Sequence, residues 1–202
     1  MPGKRELQLA GRSMVRKAGA SFGRSGLVRL GPAVRMLVHP TAATAPRRTR
    51  STRRSTVALS VLESSLLARV NSVRRSHGLR TLTLSRGLTT AAAYHSQQMV
   101  QHGFFEHESQ GGGAFWKRIE RFYAARGFRS WEVGENLAYG SPDLSANATV
   151  RMWMNSPGHR ENLLSRHWRE IGLGAIHVSS AGGEFAGDPV TVITADFGVR
   201  LR

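Results

Sequence analysis

The sequence predicts an α+β fold, because helical spacing of apolar residues gives way to strand-like alternation toward the carboxyl terminus. Steps of three and four place apolar residues on one face of a first helix at Leu59, Leu62, Leu66, Val70 and Val73. Every second residue is apolar near the end of the chain, at Ile193, Ala195, Phe197 and Val199. Both periods in one chain predict helices packed against a short antiparallel sheet.

The first two helices have clear ends. The first is expected to stop at His77-Gly78, and the second to follow Ser85, a residue type that caps helix amino termini. Gly103 is the expected stop of the second helix, since glycine adopts the left-handed conformation that ends many helices. His95 lies on the apolar face of this second helix and is interpreted as a core residue with a satisfied hydrogen bond.

Three more helices are expected further along the chain. One spans residues 115–127, and the next begins at Ser141-Pro142-Asp143, where a cap, a first-turn proline and an acid follow one another. That fourth helix runs to about Met154. A fifth, over residues 157–164, starts with Ser156 as its cap and Pro157 as its first residue.

Three segments are expected to form strands: Trp131–Tyr139, residues 171–175 and residues 190–199. The last of these is rich in β-branched residues. A run of Ser, Gly, Asp and Pro over residues 179–189 joins the second and third segments as a loose hairpin. The sheet is therefore built largely from the second half of the chain.

Positive charge is concentrated at the amino terminus. Residues 1–57 contain 13 Lys and Arg against a single acid, Glu6, whereas residues 58–202 carry a net charge of only +4. We interpret residues 1–57 as a disordered basic arm or a targeting segment, and residues 58–202 as the folded domain. Export and organelle targeting both fit the arm, but Arg29, Pro32 and Arg35 interrupt its apolar stretch, so no clean signal peptide is seen.

The composition excludes several classes of site. The 202 residues include no cysteine, which rules out disulfides, thiolate nucleophiles and cysteine-ligated zinc. No apolar run approaches the ~20 residues that span a bilayer. No HExxH motif occurs, and GxSxG occurs only at residues 19–23, within the basic arm, so a zinc protease of that type and an α/β-hydrolase are both unsupported.

Three polar clusters interrupt the folded part: HGFFEHES at 102–109, WEVGENLAYG at 131–140 and WMNSPGHREN at 153–162. Their order and spacing, together with Glu170-Ile-Gly-Leu-Gly, resemble the CAP superfamily of cysteine-rich secretory, antigen 5 and pathogenesis-related proteins, in its cysteine-free bacterial branch. The resemblance covers about residues 60–199. It implies an α-β-α sandwich with a small antiparallel sheet between helical layers.

The resemblance also implies a cleft lined by up to two histidines and two glutamates, which in some relatives binds a divalent ion such as zinc. His107 matches the first histidine and Glu135 the first glutamate. The strand that should supply the second histidine reads Val192-Ile193-Thr194-Ala195, and Asn155-Ser156 stands near the second glutamate. Half of the set is therefore missing. His159 is the nearest candidate to replace the missing metal ligand.

The expected cleft residues are His107, Glu135, Asn136, Ser156 and His159. For the His107–Glu135 pair three roles are open: a structural hydrogen-bonded pair, a metal or ligand contact with His107 and His159 as metal ligands, or acid–base catalysis. The turn at Ser156-Pro157-Gly158 is explained by the start of a helix, but that explanation does not require a histidine at 159.

Three functions are weighed. The leading one, from the resemblance, is a secreted, non-enzymatic protein that binds a small apolar ligand, such as a lipid, or an extracellular or envelope partner. The alternative is a hydrolase or metal-dependent enzyme that uses the same cleft. The third is non-specific nucleic-acid binding by the arm, through Arg47, Arg48, Arg50, Arg53 and Arg54.

Overall fold

The fold is an α-β-α sandwich, as the resemblance implies. The computed structural model describes residues 59–202 together with the backbone of two short strands, β1 (Glu6–Gln8) and β2 (Met14–Gly19). Within these residues the helices are α1 (Val61–Ser76), α2 (Arg86–His102), α3 (Phe115–Glu120), α4 (Ala146–Asn155) and α5 (Pro157–Leu164). The remaining strands are β3 (Thr83–Leu84), β4 (Ser130–Ser141), β5 (Glu170–Val178) and β6 (Val190–Leu201).

One mixed sheet forms the middle layer, in the order β1-β4-β6-β5-β3, with β2 also paired to β4. The long strands β4, β6 and β5 are antiparallel neighbours, whereas β3 pairs with β5 in parallel. The three strands predicted from the sequence are confirmed, each somewhat longer than expected. β1 and β2 lie within residues 1–57, where the sequence analysis predicts no strand, and the boundary at residue 57 stays a prediction.

Helices cover both faces of this sheet. α1, α4 and α5 pack on one face around a core that includes Leu66, Trp153 and Phe197. α2 and α3 cover the other face, where Leu88 and Ile119 pack against the sheet. Because successive side chains of a strand point to opposite faces, each central strand sends alternate residues into the two layers.

Helix α1 begins at a capping box. The Ser60 hydroxyl accepts a hydrogen bond from the Glu63 amide at 3.2 Å, and the Glu63 carboxylate accepts one from the Ser60 amide at 2.8 Å. The second carboxylate oxygen of Glu63 accepts from the Ala175 amide at 3.1 Å, which ties the start of α1 to β5. One side chain therefore both caps the helix and docks it on the sheet.

Two predicted helix boundaries are wrong. The fourth helix begins at Ala146 behind the cap Ser145, whose hydroxyl accepts from the Ala148 amide at 3.3 Å, and β4 continues to Ser141. The sequence 141–143 therefore ends a strand instead of starting a helix. The third helix stops at Glu120, short of the expected end near residue 127; turn bonds from the Phe122 and Tyr123 amides to the Ile119 carbonyl follow it, and the Tyr123 carbonyl accepts from the Trp131 indole at 2.8 Å.

Two glycines of β5 allow α2 to lie against the sheet. A Cβ on Gly172 would stand 2.0 Å from the Leu88 carbonyl carbon, and a Cβ on Gly174 would stand 2.4 Å from that of Ala92. Both distances are far shorter than a van der Waals contact. The atoms concerned belong to the backbone of α2, so no change of side-chain rotamer can relieve the clash. The Gly-Leu-Gly motif therefore sets the spacing of this helix from β5.

We expect Gly172→Ala to lower the free energy of unfolding by about 3 kcal/mol, the upper range for overpacking a core, since α2 must shift to admit the methyl group. Gly182→Ala is the matched control, because a Cβ there meets nothing within 4 Å and the backbone φ is −81°. Chemical denaturation of both variants measures the difference. Equal stability of the two variants would contradict this account of the close approach.

Candidate functional site

Adjacent residues of β4 start two separate polar clusters. Glu135 faces α2 and α3 along with Val133 and Leu137, whereas Asn136 faces α1, α4 and α5 along with Ala138. We call the first the charged cluster; it consists of His95, His107, Arg118, Glu135 and Asp196. We call the second the amide cluster; it consists of Asn136, Ser156, His159, Asn162 and Trp168.

The charged cluster is organised around the Glu135 carboxylate. Nδ1 of His107 lies 2.8 Å from Oε1 of Glu135, and the Arg118 guanidinium donates to Oε2. Arg118 also donates to the His107 carbonyl at 3.1 Å and to the Ser109 hydroxyl at 3.2 Å. Arg118 thereby holds the loop after α2 as well as the carboxylate.

Asp196 brings a second carboxyl group to the same place. It is the direct neighbour of Glu135 across the β4–β6 ladder, and both side chains are completely buried. Burial, together with the negative charge of Glu135, raises the pKa of Asp196 well above its ordinary value. The Asp196 carboxyl is therefore a neutral acid beside the Glu135 carboxylate, and neither of its oxygens has a hydrogen-bond partner among the described residues.

Glu135 takes the opposite protonation state. Burial by itself would raise the pKa of this carboxyl, but the positive charge of Arg118, with the two histidines nearby, holds it below the ordinary value. Two carboxyl groups side by side thus differ in ionisation, because Arg118 forms its ion pair with Glu135 and not with Asp196. The cluster carries one ion pair and one neutral carboxyl group instead of two buried anions.

His95 completes the cluster from α2. Its Nε2 lies 2.9 Å from the Glu106 carbonyl oxygen, and burial lowers the pKa of its imidazole to about 4. His95 is therefore neutral at neutral pH and donates through Nε2. His95 is a buried core residue, as predicted, but only Nε2 is satisfied, since Nδ1 has no hydrogen-bond partner among the described residues.

The amide cluster joins α5 to β4. The side-chain nitrogen of Asn136 donates to the His159 backbone carbonyl at 3.0 Å. The side-chain oxygen of Asn136 accepts from the side-chain nitrogen of Asn162, also at 3.0 Å. The Trp168 indole donates to the carbonyl and to the side-chain oxygen of Asn162, both at 2.9 Å. The polar residues of the third motif thus form one connected network with β4.

Ser156 caps α5 by position but not through its side chain. Its hydroxyl lies 2.7 Å from Nδ1 of His159, and it makes no capping bond to an α5 amide. The predicted helix over residues 157–164 is confirmed. His159 is completely buried, which places its imidazole in the protein interior beneath α5.

The expected cleft residues therefore do not form one group. His107 and Glu135 are together on one face of the sheet, and Asn136, Ser156 and His159 are together on the other. The structure does not bring the two candidate metal ligands together, since His107 lies with Glu135 on one face of the sheet and His159 lies with Asn136 on the other. Sequence spacing alone does not resolve this separation, because residues 135 and 136 are neighbours along the chain.

The residues present do not fit the zinc site that the resemblance implies. A zinc ion takes three or four protein ligands. In the part of the chain that the structure describes, no group of three or more His, Asp or Glu side chains is arranged to hold a metal ion. Nε2 of His107 is buried and has no hydrogen-bond partner among these residues, so one family ligand is in place without the others.

The charged cluster is also closed to substrates in this structure. The most exposed of its five side chains, His107, is 6% accessible, and Arg118 is 3% accessible. The His107–Glu135 geometry can orient an imidazole tautomer, as a general base requires. It cannot deliver that imidazole to a substrate without movement of the surrounding loop.

Arg118 and Asp196 are members of this cluster that were not predicted from the sequence. Both had a signal in the sequence. Arg118 follows the buried Phe115 at a spacing of three and precedes the buried Ile119, so it lies on the apolar side of α3. Asp196 is the one acid in a strand whose other residues over 190–199 are apolar, small or hydroxyl-bearing.

We expect Asp196→Asn to flatten the pH dependence of stability. The folded chain keeps the Asp196 proton above the ordinary carboxyl pKa of 3.8, whereas the unfolded chain loses it there, so this group lowers stability as pH rises from 3.8 to its folded pKa. An asparagine side chain has nearly the same shape and does not titrate. The variant should therefore gain stability relative to the unsubstituted chain as pH rises from 4 to 9.

The measurement is the midpoint of urea denaturation at steps of pH for both chains. The contributions of Glu135 and His95 are common to both and largely cancel in the difference. Asp188→Asn, at an exposed aspartate, is the control and should follow the unsubstituted chain at every pH. A constant difference between Asp196→Asn and the unsubstituted chain would show that Asp196 is ionised in the fold.

We also expect Asn136→Ala to destabilise the fold by about 2–3 kcal/mol, because it leaves the buried Asn162 amide and the His159 carbonyl without this partner. Asn147→Ala, on the exposed side of α4, is the control. Thermal or chemical unfolding measures both variants. A loss below about 0.5 kcal/mol for Asn136→Ala would show that the amide cluster does not hold α5.

Comparison with known proteins agrees with this architecture. The model of the cysteine-rich secretory protein (CAP) family matches residues 67–197. The chain is 31% identical over 143 residues to the uncharacterized protein YkwD of Bacillus subtilis, covering 69% of this chain and 53% of that protein. It is 33% identical over 112 residues to the uncharacterized membrane protein YlbC of the same organism, covering 55% of this chain and 31% of that protein.

Two solved structures share the fold. An extracellular protein with an SCP domain from Bacillus anthracis superposes with a TM-score of 0.50 at 25% identity, over 70% of this chain and 44% of that one. An outer surface protein of Borrelia burgdorferi superposes with a TM-score of 0.52 at 21% identity, over 68% of this chain and 91% of that one.

The chain spans about half or less of the two curated relatives that it matches. The family match, by contrast, takes in nearly all of the sandwich, from α1 to β6. It also covers all three sequence motifs that carry the resemblance. The chain therefore belongs to the cysteine-rich secretory protein (CAP) family, and it contains no cysteine.

Proposed function

We propose that this chain is a secreted or cell-envelope CAP-domain protein that binds a small, mainly apolar ligand. The observation that carries the proposal is an open groove of about 730 Å³ between α1 and α4. Volumes of this size accommodate ordinary small-molecule ligands. The location is supported by the SCP-domain relative from Bacillus anthracis, which is described as extracellular.

The groove is apolar along most of its length. Val61, Leu62, Ala68 and Ala146 supply its apolar surface, and Val61 is 86% exposed, the highest exposure of any large apolar side chain in the described part of the chain. Burying such surface under a ligand contributes roughly 25 cal/mol for each Å². An apolar body of a ligand therefore gains from lying between the two helices.

A second groove of about 580 Å³ adjoins the first and shares Leu62 and Ser145 with it. Its lining includes Asp143 and His177, and Nδ1 of His177 lies 2.9 Å from the Thr191 hydroxyl. The two grooves together suit a molecule with an apolar body and a polar end. The sequence predicts a small apolar ligand in the His/Glu-lined cleft. The ligand proposed here has a polar end as well, and it binds at the grooves instead of that cleft.

The enzyme alternative uses His107 and Glu135, whose 2.8 Å contact would orient a general base. Both side chains are buried, at 6% and 0% exposure, whereas the α1–α4 groove is open to solvent. Binding at the groove therefore needs no rearrangement, and turnover at the charged cluster does. On this comparison we favour binding over catalysis.

The test is titration of the full chain with a fluorescent fatty acid that brightens in apolar surroundings. Ala68→Trp fills the groove from an exposed position on α1 and should weaken binding at least about tenfold by excluding the probe. Ala124→Trp adds the same side chain at an exposed position outside α1 and α4 and should bind like the unsubstituted chain.

His107→Ala distinguishes binding in the groove from binding at the charged cluster. Unchanged binding in this variant supports the groove. Lost binding in a variant that still melts at the normal temperature would return the site to the charged cluster. If none of the chains binds a fatty acid or a sterol probe, the ligand-binding function is rejected in favour of a protein partner.

A further inference from the structure

A patch of unpaired positive charge lies at the carboxyl-terminal ends of α1 and α5. We call it the basic corner; it consists of the exposed residues Arg75, Arg80, Arg166 and Arg169 around the buried Arg74. Neither the proposed ligand groove nor the two polar clusters includes any of these residues. The folded domain carries a net charge of only about +4, so this concentration is local.

Backbone contacts hold the corner together. Arg74 donates from Nε to the Arg80 carbonyl at 2.9 Å, and from Nη1 to the Leu163 carbonyl at 2.8 Å and the Ser165 carbonyl at 3.0 Å. Arg74 thereby joins the end of α1, the loop that follows it and the end of α5. Its burial and the charge of Arg169 lower its pKa, in line with the proximity of the two guanidinium groups.

Arg169 fixes the second loop of the corner. It donates from Nη1 to the Arg166 carbonyl at 2.7 Å and to the His167 carbonyl at 3.0 Å. Its own carbonyl accepts from the Thr83 amide at 3.0 Å, which brings the loop 165–169 beside the chain that follows α1. Arg74 and Arg169 are thus occupied with carbonyl groups that would otherwise lack donors.

The other three arginines do not bind backbone carbonyls in this way. The side chains of Arg75, Arg80 and Arg166 make no hydrogen bond or ion pair with any residue of the described part of the chain. The adjacent acid Glu170 does not neutralise them, since it pairs with Arg200 at 3.8 Å and accepts from the Tyr123 hydroxyl on the other face of the sheet. Glu161 is the one acid within residues 74–80 and 160–169.

The chemistry of the corner favours phosphate. All of its cations are arginines, and the planar guanidinium binds phosphate oxygens through two parallel hydrogen bonds. Three such groups, on the last turn of α1 and on the two loops beside it, match a ligand that repeats its anionic groups along a chain. A single small anion would engage only one or two of them.

The residues around the basic corner restrict the chemical class of its ligand further. The aromatic residue nearest to these arginines along the chain, Trp168, is 1% exposed, so it offers no platform on which bases could stack. The exposed large apolar side chains of the described residues are Val61, Tyr94 and Leu201, and none belongs to the corner. A membrane-inserting contact would need such residues. We propose that the basic corner binds a linear phosphodiester polymer without bases.

The experiment uses the full chain and deacylated poly(glycerol phosphate) as the probe, with binding measured by calorimetry over a range of salt concentrations. R75Q/R80Q/R166Q removes the three free guanidinium groups and leaves Arg74 and Arg169 in place. R86Q/R126Q/R151Q is the matched control, since these arginines are also exposed, the charge removed is the same, and they lie outside the corner. The basic arm is present in every chain and therefore cancels.

The corner variant should bind about tenfold to a hundredfold more weakly near 0.1 M salt. Its slope of log K against log salt should be smaller by about 2, because each lost phosphate contact removes roughly 0.7 from the slope. The control variant should stay within about threefold of the unsubstituted chain. Circular dichroism of both variants should match the unsubstituted chain, because the substituted side chains hold no bond in the fold.

Three results would overturn the proposal. The first is absence of binding by the unsubstituted chain, and the second is an equal loss in both triple variants, which would indicate net charge or the arm instead of the corner. The third is a clear preference for another source of phosphate. Single-stranded DNA of equal phosphate number that bound about tenfold tighter than the polymer, or phosphatidylglycerol vesicles that bound in its place, would be that result.

Discussion

The ion pair between Arg118 and Glu135 is the constraint on which one whole layer of the molecule depends. A carboxylate on the central strand β4 is completely buried, and an unpaired charge in that position would cost several kcal/mol. The neutralising guanidinium comes from α3, so this short helix must lie where the side chain of Arg118 reaches the strand. The same guanidinium binds the His107 carbonyl, which fixes the loop after α2.

The neighbouring carboxyl of Asp196 extends this constraint to β6. Glu135 already uses the available positive charge, so Asp196 can be buried beside it only as a neutral acid. Protonation states in this layer are therefore coupled to the fold. The cluster combines features that are typical of active sites with a degree of burial that is typical of structural cores, and solvent access decides between the two uses.

The opposite layer depends on uncharged groups. Asn136 satisfies donors and acceptors of α5, and the indole of Trp168 completes the network. Helix α1, which packs in the same layer, links the two proposed surfaces. Side chains between Val61 and Ser72 line the groove, and the last turn carries Arg74 and Arg75 into the basic corner. Binding of a lipid-like molecule and of a polyanion would therefore use successive stretches of one helix.

The sequence by itself determined the α+β class, the approximate positions of the helices and long strands, and membership of the family, because these depend on periodicity and on motifs local in the chain. It also identified His107 and Glu135 as partners. The start of α4 was misplaced, since two serines, Ser141 and Ser145, both suit a cap and only the extent of β4 decides between them.

Only the tertiary structure decided which polar residues share a site. Residues 135 and 136 are adjacent in sequence but on opposite faces of a strand, and Arg118 and Asp196 reach Glu135 from elements distant along the chain. The basic corner likewise joins segments about 90 residues apart through the bonds of Arg74. Such groupings depend on which elements pair and pack, and the spacing of residues along one chain does not encode them directly.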